Sequence, residues 1–122
     1  MKYTEIELGK ALKLINSTIE KCLKIQPKFP EGTSQHTLLE NRIKALMISQ
    51  LLITNQDIKD KYNIERLKSA LGPINSIIKK CEKAQQKFPD GNTFHTRFKN
   101  IIDAMTISKT YIEEEIGKRN FH

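Results

Sequence analysis

Tryptophan is absent from this chain of 122 residues, aromatic residues make up 7% of it, and it has two cysteines. Two thiols cannot build the dense disulfide framework that holds small secreted domains together, so Cys22 and Cys81 read as reduced. Long apolar runs are also missing. None exceeds Ala45 to Ile48, whereas a bilayer span needs about 20 such residues. Met1, Lys2, Tyr3, Glu5 and Glu7 do not make the apolar stretch of a secretory signal, which leaves cytoplasmic as the expected location. There is no tail of one charge either. Residues 1–62 carry 10 basic and 7 acidic side chains and the remainder 11 and 7, together giving the formal net charge of +7. A spread so even permits weak attraction to nucleic acid, acidic protein or anionic lipid without selecting one of them.

Catalytic motifs are missing in the same way. No glycine-rich phosphate loop follows a strand, no His-Glu-x-x-His pair is present, and no serine sits in a Gly-x-Ser-x-Gly turn. The expectation is a chain with no enzymatic activity, no cofactor and no catalytic residue.

What the chain does have is repetition. Ala11 to Ile53 and Ala70 to Ile112 match at 22 of 43 aligned positions, without a gap, at an offset of 59. One copy is too short to bury enough surface alone, so the repeats 3–61 and 62–120 are expected to share a core within a single domain spanning 1–122.

Within each copy the apolar residues recur at helical spacing. Leu8, Ala11, Leu12, Ile15, Ile19 and Cys22 fall at steps of three and four, and Leu67, Ala70, Leu71, Ile74, Ile78 and Cys81 repeat them. Thr4 followed by Glu7 is a capping-box pattern that starts the first helix. Pro27, Pro30 and Gly32 end it, and the break recurs before Pro89. Pro30-Glu31-Gly32 and Pro89-Asp90-Gly91 suit type I turns with proline second and glycine fourth. Thr33 or Ser34, and Asn92 or Thr93, then offer N-caps. The next helix carries Leu39, Ile43, Ala45, Leu46, Ile48 and Leu52, answered by Phe98, Ile102, Ala104, Met105, Ile107 and Tyr111. Each copy is therefore an αα-hairpin, and the polar linker Thr54 to Tyr62 is short enough to bring the second alongside the first.

The expected fold is all-α, an antiparallel four-helix bundle of two duplicated hairpins with a pseudo-twofold axis. Gly72-Pro73 stands where the first copy has Lys13-Leu14, and a proline inside a helix costs about 3 kcal/mol unless the helix bends. The third helix is thus expected to be kinked or split there, with Asn63 to Leu71 as a separate short piece.

Lys-Phe-Pro-Glu/Asp-Gly followed by His-Thr is the densest shared string, and folding chemistry accounts for most of it. Phe29 and Phe88 plug the end of the bundle, and the prolines and glycines make the turns. His36 and His95 would lie at the same end, each about a turn from Cys22 or Cys81. Two thiolates and two imidazoles make an adequate zinc set, but no Cys-x-x-Cys or His-x-x-x-His pair pre-organises it, so no metal is expected. Lys21, Lys24 and Lys28 recur as Lys80, Lys83 and Lys87 and form a ridge that can hold phosphate, nucleic acid or anionic lipid. Lysines in the last turns also simply complement the helix dipole. Asn16 with Asn75, Asn41 with Asn100 and Ser49 with Ser108 are repeated polar positions, expected to link helices through hydrogen bonds. Glu113, Glu114 and Glu115 oppose the dipole of the last helix and suggest an extended helix or a basic partner.

The segment Phe29-Pro-Glu-Gly-Thr-Ser-Gln-His-Thr-Leu-Leu-Glu-Asn-Arg-Ile-Lys-Ala-Leu46 resembles one found in small helical proteins of low-GC Gram-positive bacteria. It covers about one hairpin, and the second copy departs from it at Phe94, Arg97 and Ile101. The resemblance implies a helical protein and no particular activity. In size, basicity and expected fold the chain is also similar to bacteriocin immunity proteins, which are cytosolic helical bundles. The leading expectation is a helical bundle that binds a protein or membrane-associated partner in a regulatory or immunity-type role, as a monomer or homodimer. The alternative is anion or nucleic-acid binding by Lys21, Lys24, Lys28, Lys80, Lys83 and Lys87 with His36, Asn41, His95 and Asn100 at the loop end.

Overall fold

A computed structural model describes residues 2–120; Met1, which belongs to the N-terminal stretch read above, and Phe121 and His122, which follow the second repeat within the expected domain 1–122, lie outside it. Four α-helices follow one another: α1 (Glu5–Ile25), α2 (Ser34–Ile53), α3 (Ile64–Gln85) and α4 (Thr93–Asn120), with a single 3-10 turn Gln26–Lys28 after α1. No strand occurs among the described residues, and the helices form an antiparallel four-helix bundle.

The local chemistry starts each helix where its sequence asks. Thr4 Oγ1 accepts from the Glu7 amide at 3.1 Å while Glu7 accepts from the Thr4 amide at 2.9 Å, a complete capping box. Those bonds favour the carboxylate form and hold Glu7 below its usual pKa, the bond from the Thr4 backbone being the larger cause. Thr33 caps α2 and Asn63 caps α3. At the far end of α2, Asn55 adopts a left-handed φ of 60° while the Gln56 amide reaches back to the Leu51 carbonyl at 2.9 Å, which closes the helix as a Schellman motif.

The turns differ from the sequence expectation by one residue. The Thr33 amide donates to the Pro30 carbonyl and the Asn92 amide to the Pro89 carbonyl, so proline is first in each turn. Gly32 and Gly91 are then third, both at φ 87°. A positive φ at the third position marks a type II turn instead of type I, and it is the reason for glycine there.

The third helix is not split. α3 runs unbroken from Ile64 to Gln85 with Pro73 inside it. Pro73 leaves the Ser69 carbonyl without its helical donor, but Ser69 and Gly72 are exposed, where water can take the missing place. On the other face Ala70 and Ile74 are buried, and their packing holds the helix together through the proline.

One buried cluster draws side chains from all four helices, with Ile15, Leu46, Leu67, Ile74, Met105 and Ile112 fully enclosed. Each contributes roughly 1.5–3 kcal/mol relative to exposure. Ile58, in the linker, joins this cluster at 2% exposure, so the linker is not wholly polar. The bundle is rhombic. α2 and α4 each touch the three other helices, whereas no Cα of α1 comes within 8 Å of α3. α2 and α4 therefore share the short diagonal, and α1 and α3 stand at the outer corners. No helix among the described residues is long and apolar enough to cross a membrane.

Ser49 and Ser108, fully buried, do not link helices. Each hydroxyl bonds back to a carbonyl of its own helix, Ala45 at 2.9 Å and Ala104 at 3.0 Å. That back-bond satisfies the donor without a neighbour. Asn16 does join α1 to α2, accepting from Gln50 Nε2 at 2.6 Å. The last helix is extended, as its acidic run suggested, and two of the three glutamates have partners: Glu114 with Lys2 at 2.9 Å and Glu115 with Arg119 at 3.0 Å.

Candidate functional site

The first and third turns lie at one end of the bundle. There Gln26 Nε2 donates to the His36 carbonyl at 3.5 Å and Gln85 Nε2 to the His95 carbonyl at 3.2 Å, equivalent bonds in the two hairpins that pin each turn to the following helix. These glutamines carry a structural task that sequence reasoning passed over, although Gln26 and Gln85 are an identical pair at the same offset. Phe29 packs on Cys22, Leu39 and Ile43, and Phe88 on Phe94 and Phe98 with ring centroids 5.1 and 6.1 Å apart. His95 Nδ1 lies 3.6 Å from Asp90.

The expected site residues do not converge. Lys21, Lys24, Lys28, Lys80, Lys83 and Lys87 are all exposed, and none makes an ion pair among the described residues. Their ridges, however, belong to α1 and α3, the corners that never touch. Two separate ridges result, not one anion pocket. Asn41 and Asn100 are exposed on α2 and α4. Among the described residues no three His, Cys, Asp or Glu side chains come together as metal ligands.

Cys22 and Cys81 are buried free thiols. Burial pushes both upward from the usual thiol pKa, and the Arg42 guanidinium pulls each partly back. They thus face one cation from diagonal helices, but a disulfide needs Cα atoms within about 7 Å and α1 and α3 do not approach so closely. Arg42 was missed by the sequence reading. One heptad back from the buried Ser49, it falls in the middle of the α2 core face. Its Nε is buried without a hydrogen-bond partner.

The second missed feature is a groove of about 980 Å³ between α1 and α4. At one end it is bounded by Tyr3 Oη against Thr110 Oγ1 at 3.2 Å and by the Lys2–Glu114 pair. The floor is apolar or small, with Ala11, Leu14 and Thr18 from α1 facing Ile101, Ala104 and Ile107 from α4. The rim is basic, with Lys10, Lys13, Lys21, Arg97 and Lys99 against Glu7 and Asp103. Lys21 and Asn100 are the two expected site residues that reach it.

The positions on α3 and α2 that are equivalent by the repeat carry different side chains. Ile77 stands there in place of Thr18 and is buried, and Arg42 stands in place of Ile101. The linker 54–63 also ties α2 to α3, while no connection joins α1 to α4. No protein-family model matches the chain, and no curated protein or solved structure does.

Proposed function

We propose that this protein is a non-enzymatic bundle that acts by binding a protein partner, and that the α1–α4 groove is where the partner sits. The observation that carries the reading is the groove itself: a floor of apolar and small residues beneath a rim with five basic side chains against two acidic ones. Apolar floor with a few charged groups at the edge is the usual composition of a protein recognition surface, where the buried centre supplies affinity and the rim supplies orientation. A regulatory or immunity-type role in the cytoplasm fits a small binding protein of this kind. Nucleic-acid binding is the weaker reading, because the lysine ridges stand on opposite corners and the groove floor offers phosphates nothing.

Affinity purification with the wild type and with Ser17→Trp tests the reading. Ser17 is exposed on the groove wall, so tryptophan fills the groove without entering the core. A partner retained by the wild type and lost from the variant is expected. Equal retention by both contradicts the site.

A further inference from the structure

Resting on the groove reading above, we infer that its occupant is one amphipathic helix of the partner, with an apolar stripe on the floor and acidic side chains along both flanks. Length, surface and charge converge on this class. Glu7 to Lys21 and Arg97 to Ile107 line the walls, and at 1.5 Å per residue they run about 21 and 15 Å, so both walls extend along about three turns of helix. Three turns present anchors at i, i+3 or i+4, and i+7, the usual grip of a helix in a groove.

The floor suits close approach. Above the buried Ala11 and Ala104, the half-buried Leu14 and Ile101 and the short exposed side chains of Ser17 and Thr106 form the two walls, so a fifth helix can settle at the roughly 8–10 Å spacing that packed helices adopt. An extended strand has nothing to add to, since the described residues contain no sheet edge. A nucleic acid or an anionic lipid headgroup would use the lysines and leave the apolar floor empty.

The charge is one-sided once internal pairs are removed. Asp103 is paired with Lys99 at 3.2 Å, and Glu7, which accepts from the Thr4 amide and keeps its charge, is the single acid left on the rim. Lys10, Lys13, Lys21 and Arg97 remain without an ion-pair partner among the described residues, and Arg97 lies over the Phe94 ring at 5.7 Å to its centroid. Four unpaired cations around an apolar floor select acidic flanks on whatever lies there.

The test uses a displayed library of 18-residue helices with a fixed apolar stripe and randomised flanks, selected on the full chain. Enrichment of Asp and Glu at the flanks is expected. The selected helices should lose affinity at least about tenfold on Ser17→Trp and on Thr106→Trp, a change of about 1.4 kcal/mol. Thr106 is exposed on the opposite wall, so the two variants fill the groove independently. Flanks without acidic excess, no helix selected, or affinity unchanged in both variants overturns the assignment. So does dependence on Leu23 or Leu38, exposed apolar residues of the first hairpin outside the groove, or displacement by a mixed-sequence oligonucleotide that binds both tryptophan variants equally. If the purified partner is lost from Ser17→Trp while selected helices show no acidic flank, partner binding at the groove stands and the acidic helix falls.

Discussion

Arg42 on α2 stands where Ile101 stands on α4. The two positions are equivalent in the repeat, yet Arg42 carries a buried, unpartnered Nε beside the α2–α3 seam while Ile101 lines the open α1–α4 groove. Copies of one hairpin thus give a bundle with two unlike sides. The exchange of Thr18 for Ile77 adds to the difference, since Ile77 is buried in the core while Thr18 lines the groove.

Arg42→Met should stabilise the protein. A buried donor without a partner costs about 1–3 kcal/mol, and methionine keeps the aliphatic stem while removing that cost. Because Arg42 is only partly buried, a gain of roughly 1 kcal/mol is expected, read as a higher urea midpoint at unchanged slope. A loss of stability means that the guanidinium has a partner in solution.

The buried thiols make stability fall at alkaline pH. Their folded pKa values are raised by burial, so their contribution is fully present below the ordinary thiol value of about 8.5 and is lost as pH rises through the higher folded value. Urea denaturation at pH 8 and pH 10 should show the drop in the wild type and a smaller one in Cys22→Ala/Cys81→Ala. Tyr111 is also raised by burial and acts in the same direction, but it is common to both proteins and cancels in the comparison. Equal drops would show that the thiols are not buried as described.

Glycines separate by conformation. Gly32→Ala and Gly91→Ala force alanine into a φ of 87° and should each cost about 1–2 kcal/mol. Gly9→Ala lies inside α1, with no atom within 4 Å of the added Cβ, and should gain roughly 0.5–1 kcal/mol from helix propensity. Thermal denaturation checks all three, and the opposite sign at either kind of site contradicts the backbone description.

Arg119 closes the other end of the bundle. Its guanidinium donates to the carbonyl of Tyr62 and, at 3.2 Å, to that of Ile58, while Nε meets Glu115 at 3.0 Å. Arg119 and Glu115 are both 14% exposed in their side chains, so Arg119→Met strands a partly buried carboxylate and two linker carbonyls. A loss of roughly 1–3 kcal/mol is expected, with faster amide exchange confined to the linker 54–63. Exchange rising evenly over the whole chain would argue against a local clamp.

The fold was legible where local chemistry decides it. The Thr4–Glu7 box, the proline and glycine positions and the apolar steps define four helices, and the short linker folds the hairpins together. Other features depend on the docking of one hairpin against the other, which no local pattern encodes. That docking leaves the groove along α1 and α4 and sends the lysine ridges to opposite corners. Pro73 does not split its helix because its cost falls on an exposed carbonyl, and Ile58 was under-read because a lone isoleucine among polar linker residues has no period. Arg42 was available in principle. Counting a heptad back from Ser49, or setting Arg42 beside Ile101, shows a charge on the core face.

Ser17 and Ser76 give the central claim its most direct measurement, because they are equivalent serines on α1 and α3 and only Ser17 lines the groove. A photo-crosslinking amino acid is placed at each in turn, and covalent adducts formed in cells are compared. A discrete protein adduct from position 17 and none from position 76 is the expected result. Adducts of equal yield from both positions, or from position 76 alone, would contradict binding in the α1–α4 groove.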